Sequence, residues 1–270
     1  MTDQHPDLHL DLPGARLAYD VTGREGRAVV VAHGLTASRA ADAAHGALDR
    51  SALAAALPGR RLVRYDARGH GASTGEADPA SYTWPALAGD LLALLDAVSP
   101  GEPVDAVGAS MGTAAVLWAA TRRPERFRRL VLTIPPTAWE TRAPHTAGYE
   151  AAAQAIERHG LAPWLRAVAA EPPVPVLAAG GWPSDGEPAV PEHLLPSAMR
   201  GAVLSDLPGP DALAALPHPT LLLPWATDPG HPVSTAERLA ELLPAATLEV
   251  AETPEAIRGW DARIARFLAG

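Results

Sequence analysis

The chain has 270 residues, 47% of them hydrophobic, no cysteine and a formal net charge of -9. A core of ordinary size is affordable at this length, thiol chemistry and disulfides are excluded, and the acidic balance, with no basic stripe to offset it, speaks against a nucleic-acid partner. No apolar run approaches the ~20 residues of a membrane span, and the opening MTDQHPDLHLDL has neither a basic nor an apolar leader region, so a cytoplasmic protein without a membrane partner is expected.

In chain order, LHLDL and RLAYDV, joined at Pro13-Gly14, read as an opening hairpin. AVVVAH, RLVRYD, VDAVGA and LVLTIP follow as short apolar runs with helical patterns between them, among them one near ALDRSALAAAL and another over WPALAGDLLALLDAV. That alternation predicts βαβ units and a parallel sheet covered on both faces. From Thr137 the alternation stops, and proline-broken helical fragments such as HTAGYEAAAQAIERHG and SAMRGAVLSDL run to about Pro219. A structureless loop of that length is improbable inside a compact domain, so a helical cap is expected over 137–216, inserted after the sixth strand. The rhythm resumes with PTLLLPWA, STAERLAELL, ATLEVA and a closing helix PEAIRGWDARIARFLAG. The core thus comprises 1–136 and 217–270, an α/β fold with a mostly parallel eight-stranded sheet.

The strongest motif is Gly108-Ala109-Ser110-Met111-Gly112, set between the strand VDAVGA and a helical pattern. The G-x-S-x-G spacing is weak alone, but at a strand-to-helix turn it is the context of a nucleophile elbow. The turn strains the backbone at Ser110, admits only small residues at Gly108 and Gly112, and sets the hydroxyl at a helix N-terminus that favours a developing anion. His33-Gly34-Leu35 ends one neighbouring strand, and Asp66-Ala67-Arg68-Gly69-His70-Gly71 ends another.

With these motifs in this order, the chain resembles the α/β-hydrolase superfamily, especially its lactonase, esterase and haloperoxidase-like members. The likeness is close over about 7–134 and looser from 217 onward. It implies that Ser110 is the nucleophile and that the backbone N–H groups of Leu35 and Met111 form an oxyanion hole, each donor contributing ~3 kcal/mol to the transition state. It also implies scaffold roles for His33 and His70, the second bracing its loop through groups such as Asp66 and Arg68. Asp228 matches the position of the family's acid.

The likeness breaks at the base. Relatives carry the catalytic histidine after the last strand; here ATLEVA is followed by ETPEAIRGWDARI, and no histidine occurs beyond His231. A serine needs a neighbour to take its proton. His231 can have moved into that role, with Asp228 or Glu140 orienting it. A cap histidine, His145, His159 or His193, is a second source. A third reading leaves no imidazole base: Glu252 or Glu255 serves weakly, or the protein is a non-hydrolytic cyclase-like or ligand-binding relative.

In the cap, Trp139, Tyr149 and Trp164 are candidates to line a substrate pocket, alongside Trp182, Leu161, Leu165, Val168 and Leu177. No metal-ligand spacing, phosphate loop or dinucleotide fingerprint occurs, so neither metal nor cofactor is expected. The expected activity is hydrolysis of a small, largely apolar carboxylic ester, lactone or thioester through an acyl-Ser110 intermediate.

Overall fold

The computed structural model describes residues 7–183 and 186–270. Ser184 and Asp185 of the inserted segment, and residues 1–6 of the opening MTDQHPDLHLDL, lie outside the described residues. The chain begins with the antiparallel pair β1 (Leu8–Leu12) and β2 (Ala15–Thr22), turned at Gly14, followed by β3 (Ala28–Ala32). Two helices, α1 (Arg39–His45) and α2 (Leu53–Ala56), then lead to β4 (Arg61–Tyr65). The helical pattern expected near ALDRSALAAAL is realised only as the single turn of α2, because Pro58-Gly59 follows at once. The capped helix lies earlier, where the Ser38 hydroxyl accepts from the Ala41 amide.

Next come α3 (Trp84–Val98), β5 (Val104–Ala109), α4 (Met111–Arg122) and β6 (Phe127–Thr133). Five helices stand between the sixth and seventh strands: α5 (Arg142–His159), α6 (Leu161–Ala169), α7 (Pro175–Ala179), α8 (Leu195–Val203) and α9 (Pro210–Ala214). The chain closes with β7 (Thr220–Leu223), α10 (Val233–Leu242), β8 (Ala246–Leu248), α11 (Pro254–Arg258) and α12 (Trp260–Ala269). The single closing helix read from the sequence is thus two, interrupted at Gly259, whose weak helix propensity outweighs the continuous apolar spacing.

The eight strands form one sheet in the order β1-β2-β4-β3-β5-β6-β7-β8, antiparallel at the β1-β2-β4 edge and parallel from β4 onward. Alternation along the central strands separates two cores. Val30, Ala106, Leu130, Leu132 and Leu222 point to one face, packed with α3, α4 and α10. Val29, Val107, Val131, Leu221 and Leu223 point to the other, under α2, α11 and α12. A third apolar cluster joins Tyr82 to α5 and α8 through Ala153, Ile156, Leu195 and Met199, so the inserted helices have a core of their own. Among the described residues no helix is long and apolar enough to cross a membrane.

The close approach that holds the elbow explains both of its glycines. A methyl group at Gly108 would lie 2.6 Å from the Gly112 carbonyl oxygen, and one at Gly112 would lie 2.1 Å from the Ala32 carbonyl oxygen, so β3, β5 and α4 meet backbone to backbone. Gly112→Ala is therefore expected to destabilise the fold by about 3 kcal/mol, seen as a lower urea midpoint, since backbone rather than a mobile side chain would have to yield.

Candidate active site

Parallel strands deliver their carboxyl ends to one edge of the sheet, and β3, β5, β6 and β7 are consecutive there. Beyond those ends, five non-glycine residues have positive φ: Thr36 (65°), Ser110 (52°), Ile134 (41°), Trp139 (48°) and Thr227 (69°). Each such conformation costs ~1–3 kcal/mol, and among the described residues none occurs elsewhere, so backbone strain is confined to one rim of the molecule.

Ser110 sits on the turn from β5 into α4. Its amide donates to the Thr133 carbonyl at 3.2 Å, while the buried Thr113 hydroxyl bonds the Gly108 and Thr133 carbonyls at 2.9 and 3.0 Å. The elbow is thereby tied to β6. Across from it runs the His33-Gly34-Leu35 turn: a methyl at Gly34 would stand 3.4 Å from Ser110 Cβ and 4.0 Å from its Oγ. The Leu35 amide meets no acceptor among the described residues, and Met111, as the first residue of α4, has an amide that the helix cannot satisfy.

The remaining partners come from the loop after β7. Asp228-Pro229-Gly230-His231 is a β-turn closed by the His231 amide donating to the Asp228 carbonyl at 3.2 Å. The Gly230 amide donates to Asp228 Oδ1 at 2.9 Å, which turns the carboxylate inward. His231 then lies with Nδ1 2.7 Å from Asp228 Oδ2 and Nε2 2.8 Å from Ser110 Oγ. Pro232 follows, restricting the His231 backbone to extended values and opening α10. The Asp228 and His231 side chains are 10% and 24% exposed, so water retains access to the imidazole edge.

The reach is a matter of strand spacing. β7 is two strands from β5 and β8 is three, at ~4.8 Å per strand. A histidine after β7 therefore has the shorter span to the elbow. After β8, where relatives place theirs, this chain has the exposed Glu252 and Thr253, and the Thr253 hydroxyl caps α11 by accepting from the Ala256 amide. Glu255, also exposed, pairs with Arg258.

Trp225 went unremarked as a site residue in the sequence, yet its indole N–H donates to Asp228 Oδ2 at 2.7 Å, the same oxygen that faces His231. Burial alone would push the Asp228 carboxyl up. The His231 contact and the Trp225 and Gly230 donors outweigh it and hold the group well below the ordinary carboxylate range. It is ionised wherever the protein is folded at moderate pH.

The other histidines are elsewhere engaged. His33 is buried between the Gly34 carbonyl, 2.8 Å from Nδ1, and the Ala67 amide, which donates to Nε2 at 2.9 Å. His70 bonds the Arg68 carbonyl through Nδ1 at 2.7 Å. Burial drives both imidazoles down, His70 to about 3, and leaves them neutral. The expected bracing contact of His70 with Asp66 does not form: Asp66 accepts from the Arg39 amide and guanidinium and the Ala72 amide instead. His159 ends α5 at the surface, His193 borders a groove with Glu157 and Arg200, and Glu140 is exposed. His145 is nearer, its ring 3.5 Å from where a methyl on Gly230 would be, and it stacks edge-on against Tyr149. Burial, Arg142 and His231 all push its pKa down.

Leu35 is where the inserted helices meet the elbow. Tyr149, Leu161 and Trp164 pack in the same apolar cluster as Leu35, and Trp139 packs with Leu35 on the main core. The Trp139 amide is held by both Asp206 carboxylate oxygens at 3.0 and 3.1 Å. Trp182 lies apart, under the Arg258 guanidinium. A cavity of about 450 Å³ opens on the other side of the loops, walled by Thr36, Ala37, Ala41, Leu48 and Trp225.

A sequence profile of the alpha/beta hydrolase fold matches residues 27–150. The chain is 28% identical over 204 residues to 3-oxoadipate enol-lactonase 2 of Acinetobacter baylyi, covering 71% of this chain and 70% of that protein. Among solved structures it is similar to a hydrolase from Pseudomonas aeruginosa, with a TM-score of 0.79, 24% identity, and 99% and 100% of the two chains covered. It is also similar to a thermophilic esterase from Thermogutta terrifontis, with a TM-score of 0.76, 21% identity and 98% of each chain covered. The identities of the two structures bear on the fold alone. Sheet order, elbow and profile match converge, and the chain has the alpha/beta hydrolase fold.

Proposed function

We propose that the protein is a serine hydrolase acting on a small, largely apolar carboxylic ester, lactone or thioester, with Ser110 as nucleophile, His231 as base and Asp228 as the acid that orients it. One observation carries this reading: a single imidazole bridges Ser110 Oγ at 2.8 Å and Asp228 Oδ2 at 2.7 Å. His231 Nε2 takes the hydroxyl proton as Ser110 Oγ attacks the carbonyl carbon. The carbonyl oxygen becomes an oxyanion, received by the Leu35 and Met111 amides at the helix N-terminus. The imidazolium, stabilised by ionised Asp228, returns the proton to the departing oxygen or sulfur, leaving an acyl ester on Ser110. Water then repeats the sequence in reverse sense and frees the acid.

The names of the relatives, an enol-lactonase and an esterase, favour carbonyl–oxygen substrates. We take the inserted helices to be a cap, with Trp139, Tyr149 and Trp164 contacting the substrate, because all three share apolar packing with Leu35. The test is trapping. Acid quenching during the first turnovers of 4-nitrophenyl acetate, followed by peptide mass spectrometry, should find the acetyl group on Ser110 together with a burst of nitrophenol. Wild-type turnover with no Ser110 adduct, together with a Ser110→Ala variant that remains active, would remove the proposal.

A further inference from the structure

We infer that Trp225 is a positioning residue for the base, clamping Asp228 so that one four-residue turn can supply both acid and histidine. The inference rests on the reading of His231 as base and adds to it the group that makes the arrangement work. Where acid and base come from separate loops, each can be held by its own surroundings. Here they are three residues apart on one turn, and a swing of the Asp228 side chain would carry the imidazole's orientation with it.

The structure opposes that swing from two sides. Gly230 N–H fixes Oδ1 at 2.9 Å, and Trp225 Nε1–H fixes Oδ2 at 2.7 Å, the oxygen that also faces His231 Nδ1. The indole itself is immobilised. Trp225 is buried, stacks on Trp260 with ring centroids 5.9 Å apart at 10°, and meets the His231 ring edge-on at 6.3 Å and 90°. Behind the stack, the Arg50 guanidinium lies 5.6 Å over Trp260 and pairs with Asp261 at 2.7 Å.

The position is telling in the sheet as well. The Trp225 backbone bridges to Ala251, three residues past the end of β8. The Ala226 amide donates to the Ala251 carbonyl at 3.0 Å and the Ala251 amide to the Pro224 carbonyl at 2.9 Å, which binds the root of the catalytic turn to the segment after β8. Trp225, backed by Trp260 at the start of α12, thus holds the acid from this side.

A donor on the carboxylate also has an electrical effect. It withdraws negative charge from the oxygen facing Nδ1–H, so its loss stabilises the imidazolium. The other titratable and charged groups around this pair are Ser110 across the imidazole, His145, Tyr149 and Arg142 on α5, Arg50 and Asp261 behind Trp260, and Asp42, His45 and Glu187 lining the cavity beside Trp225, where burial raises Asp42 to about 7. None of them is touched by a substitution that removes the indole nitrogen alone.

Trp225→Phe removes the N–H together with part of the bicycle and keeps a smaller aromatic ring against Trp260, so a second variant that disturbs the stack alone is its control. With 4-nitrophenyl acetate we expect kcat to fall on the order of tenfold with KM within about twofold, and the acid limb of the kcat/KM profile to move up by as much as ~1 pH unit. Trp260→Leu, which loosens the stack but keeps the N–H, should leave the limb in place. A Trp225→Phe enzyme with wild-type kcat and an unmoved limb would overturn the inference, as would a limb shift that Trp260→Leu reproduces in full. If Trp225→Phe does not fold, the wild-type indole resonances decide: one should exchange slowly with solvent and lose that protection in Asp228→Ala, and its absence overturns the clamp. A dead His231→Ala beside an unaffected Trp225→Phe defeats only this inference, whereas an active His231→Ala defeats the proposed base as well.

Discussion

Replacing His231 with alanine should lower kcat for an activated ester by roughly 10⁴- to 10⁶-fold while leaving the urea midpoint nearly unchanged. The asymmetry follows from what the imidazole touches. Its two side-chain hydrogen bonds are to Ser110 and Asp228, and the turn that carries it is closed by backbone and Gly230 contacts that alanine retains. Without the ring, Ser110 keeps its strained elbow and its oxyanion donors but must lose its proton to water. The residual rate should also lose the acid limb that a histidine base imposes, because only the neutral imidazole accepts a proton. Asp228 does not supply that limb in the parent protein, since its carboxyl is held well below the ordinary range there. His145→Ala in the neighbouring helix should retain the limb.

Asp228→Asn should be the next largest loss, on the order of 10⁴-fold in kcat with KM little changed. Gly230 donates to Oδ1 and Trp225 to Oδ2, so the single carbonyl oxygen of an asparagine serves only one of them; on the Oδ2 side it keeps the Trp225 bond but lacks the charge that stabilises the imidazolium. On the Oδ1 side it keeps the Gly230 bond, and its NH₂, now at the Oδ2 place, opposes the Trp225 N–H and forces His231 Nδ1 to be an acceptor. The ring proton moves to Nε2, which now donates toward Ser110 Oγ instead of accepting from it. The geometry survives and the tautomer is wrong. Activity that recovers as pH rises through general solvent attack by hydroxide, rather than through histidine titration, is the expected signature in the pH–rate profile.

Much of this architecture is legible in the residues. Short apolar runs between helical patterns mark the strands, and Gly108 and Gly112 announce an approach too close for a methyl group. The Asp228-Pro229-Gly230-His231 turn is also readable, because Pro and Gly at its centre favour a β-turn. What the spacing does not convey is direction. Whether the turn aims His231 at Ser110 depends on β7 lying two strands from β5 with β6 between them, which is a property of the sheet order. Trp225 was hidden for the same reason. Beside Pro224 it reads as the apolar end of a strand, and its indole acquires a polar task only when the chain doubles back to bring Asp228 beneath it. The helices fared worst where glycine or proline interrupts an apolar stripe, as at Gly259 and after α2, because periodicity continues across a break that backbone preference enforces.

The central claim is that the proton of Ser110 goes to His231, and the most direct measurement is the rate at which a fluorophosphonate labels Ser110, followed by peptide mass spectrometry across pH. Labelling requires an activated hydroxyl and no knowledge of the natural substrate. Wild-type protein and His145→Ala should label Ser110 rapidly, with a rate that rises through a single histidine titration, and His231→Ala should label at least 10³-fold more slowly at every pH. A folded His231→Ala protein that labels Ser110 as fast as its parent would contradict the account.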